Sequence, residues 1–180
     1  MSLGSRWAEA GLKEHCNDYV DSLCERCTSI WKYLSESALK KNESVLSCVW
    51  KHVVEGGFLT LLEGFSKIFQ CSTEGRALMS MDLASYSSGI SRREMKDRLE
   101  CGAKLPPQPP SLRGMHYVDM YIKVFYFPDD EILKWISENR DRYHLSHFLT
   151  LVSFGAHNQL PGDKLAKCLE IRDQITAIVQ

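Results

Sequence analysis

Residues 42–69 read Asn42-Glu-Ser-Val-Leu-Ser-Cys-Val-Trp-Lys-His-Val-Val-Glu-Gly-Gly-Phe-Leu-Thr-Leu-Leu-Glu-Gly-Phe-Ser-Lys-Ile-Phe69. Val45, Val49, Trp50, Val53, Val54, Phe58, Leu61, Leu62, Phe65, Ile68 and Phe69 recur at helical spacing and cover much of a helix circumference. Asn42 is a residue type that caps helix N-termini, because its side-chain oxygen accepts from an early backbone N–H. A long helix over Val45–Phe69 is therefore predicted at the centre of an all-α fold. Gly56, Gly57 and Gly64 lie inside it, each costing about 1 kcal/mol relative to Ala. Close approach of a neighbouring helix is the expected reason, at Gly64 in particular, with a kink at Gly56-Gly57 as the alternative.

Upstream, Leu12, Cys16, Tyr19, Leu23, Cys27, Ile30 and Leu34 step by three and four, which predicts an amphipathic helix over Arg6–Leu34 buried on that stripe. Downstream, Ser72 or Thr73 caps a third helix carrying Ala77, Leu78, Met81, Leu83 and Tyr86. Ser85, Ser87, Ser88 and Gly89 then predict a break. Lys104-Leu-Pro-Pro-Gln-Pro-Pro110 holds four of the six prolines and predicts an exposed polyproline II segment. Tyr117, Val118, Tyr121, Val124 and Phe125 read as a helix, although their β-branched and aromatic content leaves a strand open. Short helices follow from Asp129 through Ile136, around Phe148–Val152 up to Gly155, and from Asp163 through Leu165, Cys168, Leu169, Ile175 and Ile178. The expected fold is an all-α stacked bundle of about seven helices. Residues 1–5 read as an expression leader, 6–101 as the long-helix part, 102–114 as a proline-rich linker or loop, and 115–180 as the C-terminal helical part of the same domain.

The 180 residues are 44% hydrophobic and 25% charged, with 22 basic against 23 acidic residues, a near-neutral balance that offers no global field for nucleic acid or an anionic membrane. Lys51, His52, Glu55, Glu63 and Lys67 interrupt the apolar runs before they reach the roughly 18 to 20 residues of a membrane span, so a soluble chain is expected. Seven cysteines scattered through apolar stretches favour a reducing, cytoplasmic setting.

Cys24-Glu-Arg-Cys27 has the spacing of half a zinc site, with His15 and Cys16 about two turns upstream, yet the only other pairing of suitable type is His144-x-x-His147 and nothing places it beside Cys24. Helix packing is the preferred reading, with no metal and no cofactor. Glu63, Glu74, Asp82 and the six histidines show no catalytic spacing, and no phosphate-binding glycine loop or nucleophile elbow occurs, so no enzyme is expected. Arg92, Arg93, Lys96 and Arg98 interleave with Glu94, Asp97 and Glu100 and read as a solvated helix face. Lys104-x-x-Pro107-x-x-Pro110 matches one orientation of an SH3 ligand, with a plain spacer preferred. Exposed aromatic anchors for a partner are sought at Trp7, Trp31, Tyr33 and Tyr86, each of which competes with ordinary packing.

Leu62-Glu-Gly-Phe-Ser-Lys-Ile-Phe-Gln-Cys-Ser-Thr-Glu-Gly-Arg-Ala-Leu-Met79, through Asp82, resembles the syndetin C-terminal family, most specifically in Glu74-Gly-Arg-Ala-Leu-Met79. A second match runs from Tyr117 through Tyr121-Ile-Lys-Val-Phe-Tyr126 to Trp135. The likeness extends from about Val45 to Ile178, whereas Arg6–Leu39 matches in helical character alone, and Ser85–Arg113 is longer and richer in proline than the family. The resemblance implies a CATCHR-like helical domain of the endosome-associated recycling protein (EARP) complex, related to the Golgi-associated retrograde protein (GARP) complex. It further implies assembly with other tethering subunits, action with SNAREs or small GTPases, and peripheral attachment through partners to recycling endosomes or trans-Golgi membranes. Glu74, Gly75, Arg76 and Trp135 become the family-motif residues, expected to serve structure, with Glu74 at a helix N-terminus and Arg76 paired to a carboxylate.

Overall fold

A computed structural model of the chain describes residue 7 and residues 15–68, 71–107, 113–155 and 173–178. Regular structure among the described residues is helical, with no strand. The elements are α1 (Asp18–Glu36), a 3-10 turn (Ala38–Lys41), α2 (Glu43–Phe65), α3 (Thr73–Gly89), α4 (Arg92–Arg98), α5 (Arg113–Val124), α6 (Asp129–Asn139) and α7 (Leu145–Gly155), and residues 173–178 are helical as well. The all-α expectation holds, and the segment that left a strand open is helix α5. The part of the helix expected from Asp163 that carries Leu165, Cys168 and Leu169 lies outside the described residues, whereas Ile175 and Ile178 fall in the helical residues 173–178.

The chain forms two compact units. One draws on Met1–Leu12, Leu62–Ala77 and Met120–Gln180, the other on Lys13–Leu61 and Leu78–Asp119. This division does not follow the proline-rich stretch, since each unit takes residues from both sides of it.

In the unit containing α1, the buried face is Val20, Cys24, Cys27, Trp31 and Leu34, which corrects the predicted stripe. Tyr19 and Ile30 are 41% and 42% exposed. Both stripes step by three and four, so periodicity alone could not choose between them; the large Trp31 decides in favour of the face that carries it. Trp31 packs against Trp50 of α2 with ring centroids 5.2 Å apart, and its indole N–H donates to the Lys104 carbonyl at 2.7 Å. That bond ties the chain down at Lys104, and the two described prolines that follow are covered, Pro106 buried and Pro107 half-buried, where an exposed spacer was expected.

Helix α2 begins as predicted, with Asn42 Oδ1 accepting from the Val45 N–H at 3.2 Å, and ends at Phe65; Phe69 lies outside the described residues. The glycine expectation is half corrected. Gly64 and Gly56 face open space, whereas a Cβ on Gly57 would overlap the Tyr86 hydroxyl. Tyr86 is fully buried, donates to the Val54 carbonyl at 3.2 Å and stacks edge-on against Phe58 at 5.0 Å. The chain also does not break at Ser85: α3 runs through Gly89, and the interruption falls at Ile90-Ser91, where Ser91 caps α4 by accepting from Glu94 N–H. Gly89 permits this, because a Cβ there would stand 2.5 Å from Cys24 Sγ. Burial of Tyr86 and Ile90 outweighs the poor helix propensity of three serines.

By length and composition α2 is the one described helix that could cross a membrane. Its interior positions are occupied by packed rings, with Trp50 against Trp31 and Phe58 against Tyr86, and Lys51 and Glu55 lie mid-helix. Those features fit the core helix of a folded unit.

In the other unit, Trp135 packs against Tyr143 (5.0 Å) and Phe148 (6.0 Å). Two α7 residues close the end of α2: His147 Nε2 lies 2.9 Å from Glu63 Oε1, and Thr150 Oγ1 donates to the Ser66 carbonyl at 2.7 Å. Glu63 and Ser66 are three positions apart, as are His147 and Thr150, so one face of α7 meets the C-terminal end of α2 and the residue that follows it in register.

The contrast between adjacent glycines is testable. Gly57→Ala is expected to cost about 1–3 kcal/mol by overpacking, while Gly56→Ala should gain roughly 0.5–1 kcal/mol from helix propensity. Urea midpoints of the two variants should therefore move in opposite directions.

Candidate interaction surface

The first family segment builds the start of α3. Ser72 Oγ accepts from the Gly75 N–H at 3.0 Å, a cap that leaves Glu74 exposed in the first turn, where its charge favours the helix N-terminus. Gly75 is buried, and a Cβ on it would approach Cys71 Sγ to 2.7 Å and the Trp7 carbonyl oxygen to 2.8 Å. Only glycine admits the Trp7 backbone at that distance, and the Ser72 N–H donates to the same carbonyl at 3.0 Å.

Arg76 is fully buried, with its guanidinium carbon 4.5 Å from the centroid of Phe125. The Phe125 ring and the Cys71 thiol are among the groups that surround this guanidinium. Burial pulls the guanidinium below its ordinary value, and the neighbouring thiol opposes that. Burial likewise pushes the Cys71 thiol up, with Arg76 opposing. Tyr126 donates from its hydroxyl to the Thr73 carbonyl at 3.4 Å. The two family segments thus meet inside one unit, around a cation over an aromatic ring.

Of the four aromatic anchors sought for a partner, three are interior: Trp7 is 8% exposed, and Trp31 and Tyr86 are fully buried. Tyr33 alone of the four is exposed, at 73%. Lys104 Nζ is paired with Glu43 at 2.9 Å, Pro107 is half-buried, and Pro110 lies outside the described residues. Trp135 is buried. The Cys24 and Cys27 thiols pack on Gly89 and Tyr86, and among the described residues no group of three or more His, Cys, Asp or Glu is placed to hold a metal ion.

Sequence reasoning missed the role of Asp82. It is fully buried on α3 and accepts from the Asn17 N–H (2.9 Å), from Asn17 Nδ2 (2.8 Å) and from the Tyr19 hydroxyl. A carboxylate from one helix thereby caps the start of another. The signal was its position, since Asp82 falls on the stripe of Leu78, Met79, Leu83 and Tyr86. Burial, reinforced by the bond to Asp82, pushes the Tyr19 phenol well above its usual value. Burial does the same to Tyr86, and it raises the Cys24 thiol to about 11.

The sequence pattern of the family "Syndetin, C-terminal" matches residues 3–170. The chain belongs to the syndetin C-terminal family. The match takes in α1, which the residue-level likeness from Val45 onward had left out. Syndetin of Gallus gallus is 27% identical over 94% of the chain, and syndetin of Mus musculus is 26% identical over 97%. Syndetin of Rattus norvegicus is 26% identical over 94%. The chain spans 17% of the length of each of these relatives. No solved structure matches it significantly.

Two outcomes follow from this family-motif interior and its buried acids. Arg76→Ala should cost on the order of 2–4 kcal/mol, through lost packing of the stem and the desolvated cation over Phe125; urea unfolding measures it. For Cys24, Tyr19 and Tyr86 the protonated form is favoured in the folded chain. Above their unfolded values the unfolded state binds fewer protons, so stability must fall as pH rises. Melting temperature should begin to drop near pH 9, the ordinary thiol value, and continue downward past pH 10, the ordinary phenol value.

Proposed function

We propose that this chain is a non-enzymatic protein-interaction domain of a multisubunit vesicle-tethering complex, acting in endosomal recycling or endosome-to-Golgi transport. The observation that carries the reading is the syndetin C-terminal match over residues 3–170. On this reading its partners are the other tethering subunits, with SNAREs or small GTPases engaged by the assembly. The protein is cytoplasmic and reaches recycling endosomes or trans-Golgi membranes through those partners.

The buried polar residues support a scaffold role. Asp82 caps α1, Arg76 lies over Phe125 and His147 meets Glu63 at the end of α2, each a contact that fixes helices. The stand-alone adaptor with an SH3 ligand draws less support, because Lys104 is paired with Glu43 and Pro106 is buried.

Affinity purification of the full-length protein should recover the shared tethering subunits. Removing Arg6–Gln180 should impair recycling or membrane recruitment more than complex assembly. Recovery of no tethering subunit, or turnover of a substrate by the chain alone, would sink the reading.

A further inference from the structure

Helix α1 carries a second apolar stripe beside its buried one. At 3.6 residues per turn, Tyr19, Leu23, Ile30 and Tyr33 share an arc of about 80°, rotated by about 100° from the buried residues. Tyr19, Ile30 and Tyr33 are 41%, 42% and 73% exposed, and Leu23 is half-buried at the seam. The Tyr19 ring is held in place, because its hydroxyl bonds the Asp82 carboxylate. A fixed aromatic ring loses little conformational freedom when a partner covers it.

Charge borders the stripe on one side. Asp18, Glu25 and Glu36 are exposed on the flank away from the core. The one lysine among them, Lys32, is engaged by Glu100 at 2.5 Å, so that flank is net acidic. Arg26, also exposed, lies within the stripe. An anionic bilayer would be repelled by this rim, and a second copy of the chain would oppose it with the same carboxylates.

We propose that Tyr19, Leu23, Ile30 and Tyr33 form a docking ridge for an amphipathic helix of a partner protein whose apolar face is flanked by Lys or Arg. This deepens the interaction-domain reading and rests on it. Apolar contact supplies the affinity, and the carboxylates Asp18, Glu25 and Glu36 choose a basic-flanked helix over an acidic one.

The test uses the 180-residue chain and two fluorescent designed helices of roughly 18 residues with identical leucine ridges, one flanked by lysines and the other by glutamates. Anisotropy should show the Leu/Lys helix binding about tenfold tighter than the Leu/Glu helix, with the preference shrinking as salt is raised. Ile30→Asp should weaken Leu/Lys binding by about tenfold or more. Tyr33→Ala, at a surface site that leaves folding intact, should weaken it severalfold. Combining Glu25→Lys with Glu36→Lys should reverse the preference.

Equal affinity for the two helices, or affinity unmoved by Ile30→Asp and Tyr33→Ala, overturns the proposal. So does Ile30-dependent self-association in light scattering, or Ile30-dependent binding to phosphatidylserine vesicles. In the full-length protein the two readings separate. Loss of all tethering subunits from the wild type defeats the complex assignment alone, whereas recovered subunits with no discrimination between the helices defeat the ridge alone.

Discussion

The Tyr86 hydroxyl is the point on which one unit turns. It comes from α3, donates to the Val54 carbonyl of α2, lies 3.5 Å from Cys27 Sγ of α1, and occupies the space that a side chain on Gly57 would need. Three helices are therefore fixed at one atom, and the interior there is polar yet satisfied. Trp31 against Trp50 and Gly89 against Cys24 extend the same contacts along α1. The poor helix formers Ser85, Ser87 and Ser88 are tolerated because the residues beside them are anchored.

In the other unit the corresponding constraint is the union of the two family segments. Gly75 lets the Trp7 carbonyl approach, Ser72 caps α3, and Arg76 is covered by Phe125. His147 and Thr150 finish the end of α2 through Glu63 and Ser66. A buried arginine over an aromatic face costs desolvation, so it persists where the surrounding packing is complete. Gly75 and Arg76 of the Glu74–Met79 segment thus lie in the interior of this unit, while Glu74 stays exposed.

Much of this was legible in the residues. Helical periods, the Asn42 and Ser72 caps and the start at Asp129 follow from short-range chemistry, which a sequence carries locally. What escaped was decided by neighbours distant in the chain. The buried face of α1 went to the stripe with Trp31 because Trp50 and the Lys104 carbonyl wait there; the adjoining stripe has the same period and a similar apolar content. Gly57 and Gly64 look alike in sequence, yet only the first meets a tyrosine. Asp82 resembled one scattered acid among many until α1 supplied its donors.

The cysteines give the chain a built-in record of its own opening. Cys24, Cys27 and Cys71 are buried while Cys48 and Cys101 are exposed. Cys24 and Cys27 belong to one unit and Cys71 to the other. A thiol reagent added under native conditions would mark the exposed pair at once and reach the buried ones only when their own unit opens. Residue-resolved labelling over time would therefore separate the opening rates of the two units within a single unmodified molecule, distinguishing one cooperative event from two.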